Sequence, residues 1–267
     1  MDGTFIVAVI GAAAWLPQII SWVSNLLVRP KLRFVPEETS EIGYTSLGPI
    51  FNQSFAISTS RKDALIERIV MVIVHESGAR HEFWWKFLDE RGPEIMSIST
   101  GERAEWRKNQ PAIALKISTL GLAEKKIGFQ DITYQTKLMS LFRKYEEIEL
   151  HLKKTAPSDY LQRAIKTKEF SDLIDYIKAG FYWIEGKYDA YLYVYEASLK
   201  KPHIEHFQFE LSKVQVEQLE KNIKITQDFL KDLVLYRGRE KERPMYSWKW
   251  VNPPFYRIDK KYRYKRT

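Results

Sequence analysis

A run of residues without any charged side chain opens the chain and constrains its fold more than any other feature. Residues 4–28 contain no Asp, Glu, Lys or Arg, and Arg29, Lys31 and Arg33 follow at once. As a single helix the run would be about 37 Å long, enough to cross a hydrocarbon core of about 30 Å. The sequence therefore predicts an N-terminal single transmembrane helix over residues 4–28.

The charges beside this run predict its orientation. Trp22, Arg29, Lys31 and Arg33 would mark the membrane interface on its C-terminal side, and only Asp2 precedes it. The positive-inside rule then places the N-terminus outside and the remaining chain in the cytosol, as in a single-pass protein of the cell inner membrane. Two alternatives are a cleaved signal peptide, which the missing basic n-region disfavours, and a buried helix of a globular core. The absence of cysteine agrees with the cytosolic side.

Small and polar residues recur inside the run at spacings of three and four, which places them on one side of a helix. They are Gly11, Ala14, Gln18, Ser21 and Asn25. Because an amide in lipid needs a partner, this seam is predicted to face other copies of the helix in a homo-oligomer, or a water-filled pore. Alternatively, Asn25 lies at the interface and Gln18 bonds backbone groups freed by Pro17.

The rest of the chain predicts an α+β fold. Residues 31–131 hold short apolar or alternating runs between turn signals, a pattern typical of an immunoglobulin-like β-sandwich. Residues 132–236 change to helical spacing, with a stop at Gly180 and a capping box at Ser212, and include a tyrosine-rich β-hairpin. This second block is either separate or completes the sandwich through its hairpin.

Basic charge is concentrated in a C-terminal tail, residues 237–267. Eleven Lys or Arg residues stand there against three acidic ones, a net charge of +8, which equals that of the whole chain. Aromatic residues are interleaved with the cations, a combination that suits single-stranded nucleic acid or a nucleotide. Anionic lipid and packing of the tail onto its own domain are the alternatives. The predicted ligand-binding residues are Trp248, Lys249, Trp250, Arg257, Lys260, Lys261, Arg263, Lys265 and Arg266.

Motifs for catalysis are absent from the sequence. It contains no phosphate-binding loop, nucleophile elbow, HExxH motif or cysteine cluster, so we expect no enzyme, no cofactor and no metal. The His-Glu pairs at residues 75–76 and 81–82 flank a turn, where they would form either a site or ordinary cross-strand pairs. His203 and His206 should point to opposite faces of a strand, which prevents joint metal ligation.

The order of these segments resembles the membrane effectors of bacterial antiphage defence, among them the Hailong type. The resemblance implies an oligomer whose transmembrane helices form an ion channel or disrupt the membrane, controlled by a nucleic acid or nucleotide bound to the cytosolic domain. It also implies a protein partner encoded nearby. The alternative function is a membrane-tethered scaffold that recruits a protein partner through the β-sandwich.

Overall fold

The fold was analysed in a computed structural model. It describes the backbone of residues 15, 18, 28–96 and 103–258, and the side chains of all these residues except 90–96 and 103–109.

Twelve strands of the described part form one antiparallel sheet. Their bounds are β1 Lys31–Pro36, β2 Glu41–Thr45, β3 Gly48–Ser60, β4 Ala64–His75, β5 Arg80–Met96, β6 Arg103–Pro111, β7 Leu115–Ile117, β8 Ala123–Asp131, β9 Gly186–Glu196, β10 His203–Leu211, β11 Trp250–Val251 and β12 Tyr256–Arg257. In space the strands follow the order β11-β2-β3-β8-β5-β4-β9-β10-β12, with β1 paired to β3, β6 to β5 and β7 to β4.

This single sheet corrects the predicted immunoglobulin-like sandwich of two sheets. The sheet curls into a half-barrel, so that Phe55 on β3 contacts Phe207 on β10, with ring centroids 5.8 Å apart. Register shifts in β4 and β5, between Ile66 and Arg68 and between Trp85 and Phe87, are places where an extra residue increases twist and bends a strand. Curling lets one sheet enclose its own core, which the alternating pattern alone cannot distinguish from a sandwich.

The core lies on the concave face of the sheet, and the tyrosine-rich hairpin shows how the sequence places it there. Tyr188, Ala190, Leu192 and Val194 are buried, and the intervening tyrosines of β9 are more exposed. Strands β9 and β10 pair from Gly186 with Leu211 to Val194 with His203, which confirms the predicted hairpin. Because β9 also pairs with β4, this hairpin belongs to the same sheet and core as the strands before it.

Four α-helices of the described part pack at one end of the sheet: α1 Ile132–Thr155, α2 Tyr160–Ala164, α3 Lys168–Ala179 and α4 Lys213–Leu235. The predicted capping box is confirmed at α4, where Ser212 and Gln215 bond each other's backbone. Gly180 ends α3 as predicted, and the Thr167 side chain caps its start. Tyr44, Tyr134, Leu138, Leu173 and Leu230 form the buried cluster that joins β2 to α1, α3 and α4.

The described part of the chain contains no helix long and apolar enough to cross a membrane. Its two long helices, α1 and α4, carry charged residues along their lengths. This finding contradicts the predicted transmembrane helix, the single-pass inner-membrane location and the ion-channel function. A run without charged residues is typical of a membrane span, but it is not sufficient evidence of one.

The predicted span itself falls almost wholly outside the described residues. Within 4–28 the structure describes Trp15 and Gln18, which are helical and exposed, and Val28. The remaining seam residues Gly11, Ala14, Ser21 and Asn25 and the interface residue Trp22 lie outside the described part. Lys31 and Arg33, predicted at the membrane interface, are exposed positions of strand β1, and Arg29 precedes that strand.

Candidate functional site

A groove on the face of the sheet opposite the core is the candidate site. We call it the acceptor groove; its volume is about 420 Å³. Strands β1, β2, β3, β5 and β8 contribute to it, together with the loop 37–40 and one residue of the C-terminal segment. It is lined by Val35, Pro36, Glu37, Thr39, Ser40, Glu41, Asn52, Ser54, Phe55, Ala56, Asp89, Glu124, Lys125, Lys126 and Asn252.

Antiparallel pairing brings polar residues of different strands side by side in this groove. Asp89 on β5 lies opposite Lys126 on β8, and Lys126 lies opposite Ser54 on β3. Two residues before Ser54 in β3, Asn52 lies opposite Glu41 on β2. Directly opposed residues of paired strands share a face of the sheet, so these side chains form one polar surface.

The Glu41 carboxylate organises the floor of the groove. Asn52 donates from Nδ2 to Glu41 Oε1 at 3.0 Å, and Lys126 donates from Nζ to Glu41 Oε2 at 2.6 Å. An ionised carboxylate only accepts hydrogen bonds, so the Asn52 amide nitrogen must face Glu41. The Asn52 carbonyl oxygen therefore points away from this pair.

Three residues that line the groove each have one polar side-chain atom that is buried without a hydrogen-bond partner. These atoms are Ser40 Oγ, Asn52 Oδ1 and Asp89 Oδ1. Ser40 is 1% exposed and Asn52 is 5% exposed, so neither side chain has ready access to bulk water. A buried polar atom left unpaired costs about 1–3 kcal/mol, and native structures contain few of them. Three of the seven such atoms among the described residues belong to the lining of this groove, which makes the groove the candidate ligand site.

The segment 250–258, which we call the C-terminal strap, holds the wall of the groove. Strand β11 pairs with β2, and β12 pairs with β10, so the strap joins strands from the two ends of the curled sheet. Between them, Ser40 N–H donates to Pro253 O at 3.1 Å and Phe255 N–H donates to Glu38 O at 2.7 Å. These bonds position the loop 37–40, and with it Ser40.

Charge in the groove is predominantly negative. Its lining contains four carboxylates, on Glu37, Glu41, Asp89 and Glu124, and the two ammonium groups of Lys125 and Lys126, a net charge of −2. No group of three or more His, Cys, Asp or Glu side chains suited to a metal ion occurs among the described residues.

Trp248 and Trp250, two tail residues predicted to bind a ligand, pack against the rest of the protein and do not line the acceptor groove. The Trp248 ring packs against Phe229 with centroids 5.2 Å apart and donates from Nε1 to Thr226 Oγ1 at 3.1 Å. The Trp250 ring lies against Gly43. Contacts with the protein thus occupy both indoles, in accordance with the alternative that the tail packs onto its own domain.

The cations of the tail are not brought together in the described part. The backbone of Lys249 makes two hydrogen bonds to the Asn222 side chain, and Arg257 donates to the buried Glu205 carboxylate. Lys260, Lys261, Arg263, Lys265 and Arg266 lie outside the described residues. Their predicted role in ligand binding remains a prediction.

The histidines have separate structural partners. His203 Nε2 lies 2.8 Å from Glu205 Oε1, whereas His206 stacks on Tyr191 and lies 2.7 Å from Asp189 Oδ1. The two rings thus occupy opposite faces of β10, as predicted. His75 bonds within its own turn, to Ser77 Oγ at 2.8 Å, and does not form a joint site with His81.

His81 belongs to a buried polar cluster around Asp131, the N-cap of α1. Its ring stacks on Tyr182 at 3.5 Å between centroids, and its Nδ1 lies 3.6 Å from Asp131 Oδ2. Asp131 also accepts from Tyr182 Oη at 2.9 Å and from Tyr134 N–H at 2.9 Å. Burial alone would raise the pKa of Asp131, but these hydrogen bonds and His81 lower it below its usual value. This cluster fixes the start of α1 and opens into no described cavity.

Comparison with known proteins adds no further information about the site. No family model, no curated protein and no solved structure matches the chain. Its function is therefore argued from its own residues.

The sequence reasoning missed the acceptor groove entirely. Ser40, Asn52 and Asp89 are far apart in the chain, and strand pairing alone brings them together. One signal was visible: Asn52 and Gln53 are buried amides that follow the apolar Ile50 and Phe51 in β3, and a buried amide needs hydrogen-bond partners.

Proposed function

We propose that this chain is a recognition protein that binds a small hydrogen-bond-donating molecule in the acceptor groove. The observation that carries the proposal is the presence of Ser40 Oγ, Asn52 Oδ1 and Asp89 Oδ1, three buried and unpaired polar atoms, in the lining of one groove. A ligand that donates to them removes a desolvation penalty that the unliganded fold bears. The groove volume lies within the usual range of ligand pockets, about 300–1,000 Å³.

Binding rather than catalysis is the role that these groups favour. Among the described residues, neither histidine nor cysteine lines the groove, and Glu41 holds both Asn52 and Lys126 in hydrogen bonds. The arrangement instead offers acceptors on two strands and on a loop held by the C-terminal strap, which suits selective retention of a ligand.

Ser40→Ala is the most informative variant for this proposal. It removes a buried hydroxyl that bonds nothing in the protein, so the free energy of unfolding should stay unchanged or rise. Loss of one hydrogen bond to the ligand should raise its Kd by about tenfold, which corresponds to about 1.4 kcal/mol. Ser60→Ala is the control, since Ser60 is exposed at the far end of β3.

The measurement is a thermal-shift screen of nucleosides, amino sugars, polyols and amines, followed by calorimetric titration of each hit. We expect a compound that raises the Tm of the wild type and of Ser60→Ala, and raises that of Ser40→Ala less. The proposal fails if the screen yields no binder, or if both variants bind as the wild type does.

The regulatory nucleic acid or nucleotide predicted from the tail is a separate proposal. It depends mainly on the five terminal cations that lie outside the described residues, and it predicts binding of a single-stranded oligonucleotide that weakens steeply with salt. Recruitment of a protein partner through the sheet and assembly into a homo-oligomer likewise remain predictions. None of them needs the groove.

A further inference from the structure

We infer that the ligand of the acceptor groove carries a protonated amine or guanidinium group on an aliphatic chain. The inference rests on the proposed function and adds the chemical class of the ligand. It follows from the unpaired acceptors, the charge of the lining and the apolar side of the groove.

The buried groove atoms without a hydrogen-bond partner can all accept. Asn52 Nδ2 and Lys126 Nζ, two donors of the groove floor, both bond Glu41. Asn52 Oδ1 and Asp89 Oδ1 remain as acceptors without partners, and Ser40 Oγ can accept as well. The ligand must therefore present several N–H or O–H groups.

The charge of the groove selects cations among such donors. Asp89 Oδ1 is a buried carboxylate oxygen without a hydrogen-bond partner, and a positive group that reaches it would gain a charge-assisted hydrogen bond. Glu37 and Glu124 add negative charge at the exposed rim. A phosphate or carboxylate would meet repulsion from these groups. An ammonium or guanidinium group would gain charge-assisted hydrogen bonds.

The remaining side of the groove suits an alkyl chain. Val35, Pro36 and Ala56 lie there together, where β1 pairs with β3, and Val35 is 43% exposed. Apolar surface next to an acidic floor matches a molecule with a cationic head and a methylene chain. Such chains commonly lie along apolar surface while the charged end reaches polar groups.

Two sources share this chemistry: a free aliphatic polyamine, and a lysine or arginine side chain of a partner peptide. Isothermal titration separates them, with spermidine and agmatine as free amines and Gly-Arg-Gly and Gly-Lys-Gly as peptides. Triacetylated spermidine, which is neutral, and guanosine, a neutral hydrogen-bond donor, complete the set.

We expect a free amine or a peptide to bind, and Asp89→Asn to weaken this binding at least tenfold. Asp228→Asn, which removes a half-exposed carboxylate on α4 that pairs with Lys224, should leave binding unchanged. Affinity should fall with added salt, since opposite charges are screened. Glu124→Gln is a second variant should Asp89→Asn fail to fold, and circular dichroism monitors the fold of each protein. A tighter complex with the peptides assigns the groove to a protein partner; a tighter complex with the amines assigns it to a free ligand.

Three outcomes overturn the inference. If guanosine or triacetylated spermidine binds with Ser40 dependence and the amines do not, the groove is a ligand site for neutral molecules. In that case the proposed function stands and the inference fails. If no compound binds, both fail. If Asp228→Asn weakens amine binding as much as Asp89→Asn does, the amines bind nonspecifically to surface charge.

Discussion

Gly43 shows how closely the C-terminal strap fits against the sheet. A Cβ atom at this position would lie 2.3 Å from Cζ3 of the Trp250 ring. The Gly43 carbonyl also accepts from Trp183 Nε1 at 3.2 Å, so the backbone here is held by a second indole. The Trp250 ring therefore excludes a side chain at this residue. Backbone conformation does not, since the φ angle of Gly43 is not positive.

We therefore expect Gly43→Ala to displace Trp250 and to lower the free energy of unfolding by about 1–3 kcal/mol, as overpacking does. Urea denaturation followed by tryptophan fluorescence measures the change. Gly121→Ala is the control, since its Cβ would meet nothing within 4 Å. Equal stability of the two variants would show that the ring moves aside without cost.

At the scale of elements, sequence patterns predicted correctly those features that depend on neighbouring residues. The alternation of β9, the pairing of β9 with β10, the capping box at Ser212 and the stop at Gly180 all occur as predicted. Each depends on residues close in sequence, whose spacing or hydrogen-bonding groups define the element.

Long-range pairing was the part that the sequence pattern did not reveal. Strand β8 lies between β3 and β5, far from both in sequence, and β9 lies beside β4. These strand pairings produce one curled sheet, whereas the sequence periodicity suggested two packed sheets. For the same reason Ser40, Asn52 and Asp89 gave no recognisable motif, because only the completed sheet brings them together.

A substitution of Trp248, in the segment before the strap, tests whether the aromatic residues of the tail stabilise the fold. Trp248 bonds Thr226, which is fully buried, and its ring packs on Phe229. We expect Trp248→Ala to lower the free energy of unfolding by about 1–3 kcal/mol and the Tm by several degrees. Thermal denaturation followed by circular dichroism measures both. Met245→Ala is the control in the same segment, since Met245 is 100% exposed. An unchanged Tm for Trp248→Ala would contradict a stabilising role and would favour the predicted role of Trp248 in ligand binding.

At the scale of the whole molecule, a buried tyrosine pair connects the sheet to the helices. Tyr44 on β2 donates to the Ile177 carbonyl on α3, and its hydroxyl lies 3.2 Å from that of Tyr134 on α1. Burial raises the pKa of Tyr44 far above its usual value of 10, and raises the pKa of Tyr134 to about 12. The neutral hydroxyls are thus part of the interface between the sheet and the helices.

A raised pKa in the folded state gives a definite dependence on pH. The contribution of Tyr44 and Tyr134 to stability is fully present below pH 10 and decreases as the pH rises from 10 towards 12 and above, because the unfolded chain ionises first. The wild type should therefore lose stability steeply between pH 10 and pH 12. Urea denaturation at pH 8 and at pH 11 measures this loss.

The variant Tyr44→Phe tests whether Tyr44 causes the loss of stability at high pH. At pH 8 it should be less stable than the wild type by about 1–2 kcal/mol, because its hydrogen bonds are lost. At pH 11 the difference should shrink, because phenylalanine does not ionise. Tyr256→Phe, at an exposed site, should behave as the wild type does at both values. A difference that stays constant from pH 8 to pH 11 would assign the alkaline loss to other groups.

The C-terminal strap has a consequence for how the chain acquires its structure during synthesis. Ile42 pairs with Val251, and Thr39 with Pro254, so these pairings of the first strands form only after more than 200 further residues have been made. At about 5–20 residues per second, roughly 10–40 s of translation separate the two partners. Until then the edge of β2 stays open on the ribosome, where a chaperone or another nascent chain can reach it. Such distant pairing also slows folding after release, since the large loop must close before its contacts form.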